Sequence, residues 1–374
     1  MIYADNAATT KLDEEAFEAM IPYLKDNYGN PSQPYSFSRI TKKALKKARE
    51  IIAKCINAQP EEIIFTSGGT ESDNWAIKSN IDVHHHKQII TSEIEHHAVL
   101  NSCLDAERLG DTIKYAKVDR NGVVLSDDIE HMLNENTRLV SVMLANNEIG
   151  TIEPIKKIAK LAHQYGSLVH TDAVQAVGHI SIDVNELGVD LMAASAHKFN
   201  GPRGVGFIYV RKGTKLNPFI TGGAQESNMR AGTENVANIV GMAKALENNC
   251  KNLKSNQEYI IKLENVLIES LKNNHIDFIR NGSDKHLPGN MSLSFRGFEG
   301  EMLLHRLDLM GICVSTGSAC DSKNTQISHV LKAINLDEDY ALGTIRVSLG
   351  KNNTEEEAVK IAHAISKIIK SKKI

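Results

Sequence analysis

The chain has 374 residues, of which 41% are hydrophobic and 24% are charged, and its formal net charge is −3. This composition is typical of a globular protein with a sizeable core, and the near-neutral charge argues against a general attraction to nucleic acid or to membranes. No apolar run approaches the roughly 18 residues of a membrane span. The N-terminus has neither the basic nor the apolar region of a signal peptide, so we expect a cytoplasmic protein.

Short apolar runs alternate with amphipathic stretches along the first part of the chain. Strands are predicted at 62–67, 88–92, 139–144, 167–171, 191–195 and 205–210. Helices are predicted between them, including 71–78, 97–109 and 155–165. This alternation predicts an α/β fold with a mostly parallel sheet, whose ligands lie at the carboxyl ends of the strands.

A long helical stretch at 237–274 is predicted to connect this region to a second domain. Beyond it, strands at 291–295 and 344–349 alternate with helices at 300–307 and 354–369. These elements predict a small α/β domain. We therefore expect a large domain over 13–250 and a small domain formed by 1–12 and 251–374.

The first chemical motif is the segment 195–206, SAHKFNGPRGVG, which places Lys198 directly after a predicted strand and among small residues. A cofactor aldehyde that forms a Schiff base with a lysine needs such room beside the amine. Taken alone, Lys198 would more often be an ordinary solvated lysine. The glycine-rich run that follows it is also a weak signal, because nucleotide-binding loops and plain turns look alike.

The second motif is the segment 169–175, VHTDAVQ, in which Asp172 ends a predicted buried strand upstream of Lys198. A carboxylate at this place can accept a hydrogen bond from a protonated pyridine nitrogen, which keeps the ring an electron sink. Gln175 could reach the phenolic oxygen of such a ring. The alternative for Asp172 is a helix N-cap.

The third motif is the segment 66–72, TSGGTES, in which a strand ends, two glycines turn and a helix begins. The N–H groups of the helix start and the hydroxyl of Thr70 form a cradle that suits a phosphate. Ser195 and His197 could supply further donors. A generic strand-to-helix turn is an equally good interpretation of this segment by itself.

The cysteines differ in their surroundings, and their odd number and scattered positions do not predict a disulfide framework. Cys320 follows the small residues of 314–319, VSTGSA, and precedes a polar run, which predicts an exposed and mobile thiol. The other four lie in or beside apolar patterns and are predicted to be buried and inert: Cys55, Cys103, Cys250 and Cys313.

Two more residues stand out. Arg346 lies on a short apolar strand, so it needs an anionic partner, which could be a substrate carboxylate or a structural salt bridge. His96 lies at a strand-to-helix junction, where it could stack on a planar cofactor, exchange protons or cap the helix. We predict no metal site, since the consecutive histidines at 84–86 would point apart.

Together and in this order, the motifs resemble those of the cysteine desulfurases that feed iron–sulfur cluster assembly, which are pyridoxal-phosphate enzymes of the class V aminotransferase family. The resemblance covers essentially the whole chain and extends to 5–10 DNAATT, 29–32 GNPS and 146–150 NNEIG. It implies the aspartate-aminotransferase-like α/β fold (pyridoxal-phosphate fold type I), with a mostly parallel seven-stranded sheet in the large domain and a small α/β domain. It also implies a homodimer.

The resemblance implies a role for each motif residue. Lys198 would bind the cofactor as a Schiff base, His96 would stack on its ring, and Cys320 would accept the sulfur. Other cofactor contacts would come from Gly69, Thr70, Asn147, Asp172, Gln175, Ser195 and His197, with Thr233 of the segment 229–233 reaching in from the partner subunit. Asn147 and Arg346 would hold the substrate carboxylate.

The implied reaction removes sulfur from L-cysteine, releases L-alanine and leaves a persulfide on Cys320. An acceptor protein, either an iron–sulfur scaffold or a tRNA-thiolation enzyme, would then take the sulfur, and Cys320 could transiently ligate a cluster on such a scaffold. Asp321 stands where the family usually has Thr or Ser, and its carboxylate would oppose thiolate formation. The rival functions are a selenocysteine lyase, a transaminase, and a cofactor-binding scaffold protein without turnover.

Overall fold

The protein is described by a computed structural model that covers residues 1–79, 87–316 and 327–371. The strands are β1 Ile2–Tyr3, β2 Ile63–Thr66, β3 Gln88–Ser92, β4 Thr112–Ala116, β5 Thr137–Ser141, β6 Leu168–Asp172, β7 Leu191–Ser195, β8 Gly206–Val210, β9 Ile279–Asn281, β10 Asn290–Ser294, β11 Ile312–Cys313 and β12 Thr344–Ser348. The longer helices are α1 Glu14–Lys25, α2 Arg39–Cys55, α3 Gly69–Lys78, α4 His97–Arg108, α5 Ser126–Met132 and α6 Ile155–Gln164. They are followed by α7 Val184–Leu187, α8 Val236–Lys251, α9 Leu253–Asn273, α10 Gly300–Leu309, α11 His329–Ala333, α12 Glu338–Ala341 and α13 Glu355–Ser371.

The central sheet has seven strands in the order β2-β8-β7-β6-β5-β3-β4. All neighbours are parallel except β8, which runs antiparallel to both β2 and β7. This confirms the predicted fold class. The sequence did not predict β4, because this edge strand alternates exposed and buried residues and therefore lacks the continuous apolar run of the central strands.

The long helical stretch at 237–274 is two helices that meet at Asn252. The first, α8, packs against α1 and α2 on the large sheet, whereas α9 packs against α13. Because the two halves of this stretch pack against different helices, it forms two helices and not the single helix that was predicted.

A second sheet is antiparallel and has the order β12-β10-β9. The start of the chain lies beside it, since β1 pairs with β11 and Asp5 bridges to Ser348. The division at residues 12 and 250 stays a prediction. In the described part of the chain, no helix is both long and apolar enough to cross a membrane.

The prediction that four cysteines are buried is correct only for Cys103. Cys55 and Cys250 are half-buried because they lie in the last turns of α2 and α8, and Cys313 is half-buried on the short strand β11. An apolar neighbourhood in sequence does not guarantee burial at the end of an element, where the chain turns toward solvent.

Candidate active site

A cavity of about 560 Å³ lies at the carboxyl edge of the seven-stranded sheet. Its walls come from residues that follow β2, β3 and β5 and from the ends of β6 and β7, and Arg346 of β12 closes it from the second sheet. A doubly wound sheet binds ligands at this edge, where the helix starts point and the loops are free to vary. The cavity is therefore the candidate active site.

Among the residues that the structure describes, the fold brings the predicted cofactor and substrate residues together here, apart from Thr233. Those that line the cavity are Gly69, Thr70, His96, Asn147, Asp172, Gln175, Ser195, His197, Lys198 and Arg346. Thr233 is exposed and is not part of this wall in the single chain. Cys320 lies outside the described residues, as do Asp321 and the histidines at 84–86.

Lys198 ends a single turn of 3-10 helix that follows β7. Its Nζ donates to the carbonyl oxygens of Ala7 at 2.6 Å and Ala8 at 2.9 Å. The side chain of the next residue upstream, His197, is within hydrogen-bond distance of Thr9 at 3.1 Å. Sequence reasoning missed this N-terminal contact, because backbone carbonyls carry no signal in the residue types.

Asp172 is the last residue of β6, and only 6% of it is exposed. Its Oδ1 accepts from the N–H of Val174 at 2.9 Å, which closes a turn and not a helix, so the N-cap alternative is wrong. Burial raises the pKa of Asp172, while His96, the Val174 N–H and Lys198 act in the opposite direction. A cation bound beside this carboxyl would shift it fully to the anion.

The glycine turn between β2 and α3 fits closely against the neighbouring strands. Gly68 has a φ of +151°, and a Cβ at Gly206 would collide with the Ala194 carbonyl and with Gly68 itself. These glycines therefore let the start of α3 approach the ends of β7 and β8. The first N–H groups of a helix have no acceptor within it, and here Gly69 and Thr70 line the cavity.

Two imidazoles of the cavity, those of His197 and His96, have lowered pKa values and are neutral. Burial, with help from Lys198 and Arg203, lowers the pKa of His197 to about 4. Burial also lowers the pKa of His96, whose Nδ1 accepts from the Ala98 N–H at 3.1 Å and so caps α4. Since Nδ1 is an acceptor, the ring proton of His96 is on Nε2. The capping interpretation of His96 is thus correct, and stacking on a cofactor stays a prediction.

Glu95 and Asp73 are among the carboxyl groups of the cavity that the sequence analysis did not single out. Glu95 accepts from Ser92 Oγ at 2.6 Å and from the Met143 N–H at 2.9 Å, and burial raises its pKa to about 8. Burial and the charges of Asp172 and Glu95 raise the pKa of Asp73 well above its usual range. Asp73 lies four residues after Gly69, on the buried face of α3, and this spacing was the available signal.

Arg346, which the second sheet contributes to the cavity, is 3% exposed. Its Nη2 donates to Asp5 Oδ1 at 2.8 Å and its Nη1 to the Asn147 carbonyl at 3.0 Å, so the structural salt bridge exists. The Nε of Arg346 is buried and makes no hydrogen bond to the described residues. Beside it, Glu148 accepts from Ser328 Oγ at 2.6 Å, and burial raises the pKa of Glu148.

Comparison with known proteins agrees with this geometry. Residues 2–361 match the aminotransferase class-V family, so the chain belongs to the class-V aminotransferases. It is 50% identical over 371 residues to a cysteine desulfurase IscS of Dictyoglomus turgidum, covering 98% of this chain and 94% of that protein. Within the family, the chain belongs to the cysteine desulfurases, whose cofactor is pyridoxal phosphate.

Solved structures give the same result. A NifS-like protein superposes with a TM-score of 0.92 at 39% identity, over 99% of both chains. A structure described as SspA in complex with cysteine superposes with a TM-score of 0.85 at 34% identity, covering 95% of this chain and 100% of that one. The predicted family and fold are therefore confirmed.

Proposed function

We propose that the protein takes sulfur from free L-cysteine with pyridoxal phosphate bound at Lys198, and holds that sulfur as a persulfide on Cys320. The observation that carries the proposal is the arrangement of three groups around one cavity. The Lys198 amine and the buried Asp172 carboxyl line it from the seven-stranded sheet, and Arg346 lines it from the second sheet. A lysine, a carboxylate and an arginine so placed suit an amino acid bound through an aldehyde cofactor.

The residues present fit pyridoxal phosphate. Asp172 is a buried carboxyl that would gain a partner in a pyridinium nitrogen, and Gln175 lies beside it. The start of α3, with Gly69 and Thr70, offers N–H groups and a hydroxyl for the phosphate. Ser195, His197 and, from a partner subunit, Thr233 would complete the phosphate contacts.

When bound, pyridoxal phosphate supplies an electron sink for the pair of electrons left when the substrate Cα–H bond breaks. The Lys198 amine takes that proton. Its Nζ already lies against two carbonyls of the N-terminal segment, which orient the amine. Asp172, in its anionic form, would hold the proton on the ring nitrogen, while the neutral ring of His96 lines the cavity without adding a competing charge.

Arg346, which the second sheet contributes to the cavity, would orient the substrate. Asp5 and the Asn147 carbonyl each take one N–H group of Arg346, so the guanidinium is held in one plane. Its remaining N–H groups are the donors for the substrate carboxylate, and the Asn147 side chain lies beside them. The salt bridge to Asp5 therefore orients the guanidinium for substrate binding, so Arg346 can have both roles.

Sulfur transfer is assigned to Cys320, the cysteine predicted to be mobile. Its thiolate attacks the sulfur of the bound cysteine, an S–S bond forms, and the substrate Cβ–S bond breaks. The carbon skeleton takes up a proton and leaves as L-alanine. No external oxidant is needed, because the electron pair of the broken Cβ–S bond stays with the carbon skeleton, which is reduced while the two sulfur atoms are oxidised to a persulfide.

Incubation of the purified protein with L-cysteine and a thiol reductant tests the reaction, with alanine and sulfide measured over time. Cys320→Ala should still bind the cofactor and change its visible spectrum when cysteine is added, yet release almost no alanine. Cys103→Ala is the matched control, since that thiol is buried away from the cavity, and it should leave alanine release unchanged. Near-normal alanine release from Cys320→Ala would show that sulfur leaves by elimination.

We also propose a homodimer and a protein that accepts the sulfur, either an iron–sulfur scaffold or a tRNA-thiolation enzyme. One face of α1 supports the dimer, because Phe17, Ile21 and Leu24 are exposed there at helical spacing. Thr233 is also exposed, two residues after Ala231, whose N–H donates to the carbonyl of the exposed Ile220. Light scattering on the holoenzyme tests the dimer, and Leu24→Lys should shift it toward the monomer if this face forms the interface.

A further inference from the structure

The turn that carries Lys198 is held by hydrogen bonds to its backbone carbonyls. The hydroxyl of Thr10 donates to the carbonyl of His197 at 2.8 Å, and Asn249 Nδ2 donates to the carbonyl of Phe199 at 2.7 Å. Between these two, His179 Nε2 lies 2.8 Å from the carbonyl oxygen of Lys198 itself. Since a carbonyl can only accept, His179 must donate from Nε2.

The ring of His179 is neutral in this role. Burial lowers its pKa and outweighs the hydrogen bond to the Lys198 carbonyl, which acts in the opposite direction, and the charges of Lys351 and Lys198 lower the pKa further. A neutral imidazole with its proton on Nε2 leaves Nδ1 without a proton. The hydrogen bond to Lys198 therefore does not depend on protonation of His179 near neutral pH.

His179 lies in the loop that follows β6, and this loop begins directly after Asp172. Gly178, with a φ of +80°, lets this loop approach the lysine turn, since a Cβ there would lie 2.7 Å from Cβ of Phe199. From the other side, Gln257 of α9 donates to the carbonyl of His179 at 2.8 Å. The loop thus links the residue proposed for the ring nitrogen with the backbone of the lysine.

Lys198 has to release its bond to the cofactor and form it again in every cycle, so its backbone must stay in one place while its side chain moves. We propose that His179 is a positioning residue that fixes the main chain of Lys198 through this hydrogen bond. The inference rests on the proposed function of Lys198 as the cofactor-binding lysine. It predicts that loss of the donor slows the steps in which Lys198 acts and leaves substrate affinity nearly unchanged.

The test compares two side chains of similar length, His179→Met without a donor and His179→Gln with one. Apoprotein is mixed with pyridoxal phosphate, and the growth of the visible band is followed. Borohydride reduction and mass spectrometry then show whether Lys198 carries the label. A second readout is exchange of the Cα proton of L-alanine with deuterium from the solvent, which needs Lys198 but not Cys320.

We expect His179→Met to slow both loading and exchange roughly tenfold, the effect of about one lost buried hydrogen bond, with KM for cysteine within about twofold. His179→Gln should recover most of both rates. His163→Met is the matched control, because His163 bonds Asp190 outside the cavity, and it should load at the wild-type rate.

Equal rates for His179→Met and wild type would overturn the inference, as would a Gln variant as slow as the Met variant. If His179→Met does not fold, the Gln variant alone decides, since a slow but folded Gln variant contradicts a role that rests on the donor. Wild-type apoprotein that takes up no cofactor at Lys198 would overturn the proposed function and the inference with it. Normal wild-type loading with an unaffected Met variant removes only the inference.

Discussion

The cavity has two parts that are built in different ways. We call the part lined by the seven-stranded sheet the cofactor end and the part around Arg346 the substrate end. At the cofactor end, Asp172 is the last residue of a strand, and Thr70, His96 and Lys198 each follow a strand of the same sheet within a few residues. At the substrate end, Arg346 of β12 meets Asp5, which is 341 positions away in the sequence. The cofactor end is therefore a property of one sheet, whereas the substrate end exists only when two sheets and the N-terminus lie together. We expect cofactor binding and substrate recognition to be separable by mutation.

The largest effect should come from the cofactor end. Lys198→Ala removes both the amine that binds the aldehyde and the base that takes the substrate proton. Alanine formation should fall by roughly a thousandfold or more, and borohydride should label no lysine of the cavity. Lys351→Ala is a suitable control, since Lys351 is ion-paired with Asp13 outside the catalytic cavity. A labelled lysine in Lys198→Ala would contradict the assignment.

A smaller loss at the same end is expected from Asp172→Asn, which keeps the shape of the side chain and loses its charge. Without the anion, the ring nitrogen is not held protonated, so kcat should fall about a hundredfold. KM for cysteine should change little. Asp73→Asn is the matched control, because Asp73 is also a buried carboxyl of the cavity and its pKa is raised well above its usual range. Equal losses from both variants would show that burial and not the charge of Asp172 matters.

The substrate end is tested by Arg346→Ala. Loss of a carboxylate contact in a closed site should cost about 2–4 kcal/mol of binding energy. The value of kcat/KM should fall by the corresponding factor, chiefly because KM rises. Loading of the cofactor onto Lys198 should remain as in wild type. If loading fails as well, the two ends of the cavity are not independent, and Arg346 holds the fold of the cavity as a whole.

A milder change at this end is Asp5→Asn. The amide can still accept from Arg346 Nη2 but no longer pairs its charge, so Arg346 should stay in place with less restraint. We expect KM for cysteine to rise by about tenfold or less. An effect as large as that of Arg346→Ala would mean that Asp5 contacts the substrate itself or that the pair folds as a unit, and a crystal structure of the variant would distinguish these.

The last prediction concerns stability at the cofactor end and not catalysis. Glu95 keeps its proton in the fold up to about pH 8, whereas in the unfolded chain it ionises near its ordinary value. The unfolded state then binds fewer protons, so the free energy of unfolding falls as pH rises through this window, by at most about 1.4 kcal/mol per pH unit. Glu95→Gln apoprotein should lack this loss. Urea unfolding at pH 5.5 and pH 8 measures it, and parallel changes in both proteins would contradict the shifted pKa.

The sequence predicted the cofactor end well and the substrate end in part. Lys198 and Asp172 could be identified because each lies at or just after the carboxyl end of an apolar strand. The carboxyl ends of parallel strands meet at one edge of the sheet. The salt bridge of Arg346 was left open, and Asp5 was not named as its partner, because no local pattern joins residues so far apart. The Lys198 contacts to Ala7 and Ala8 were missed because they use backbone oxygens.

By itself, the sequence determined the strand–helix order, the parallel sheet and the order of the motifs, because these depend on periodicity and on residue types close together in the chain. Only the tertiary structure decided which groups surround the lysine, which carboxyls are buried and protonated, and where the helix at Asn252 breaks. These features arise from packing between distant segments. Burial and long-range hydrogen bonds set the charge of Glu95, the orientation of Arg346 and the position of Lys198, and none of these can be read from neighbouring residues.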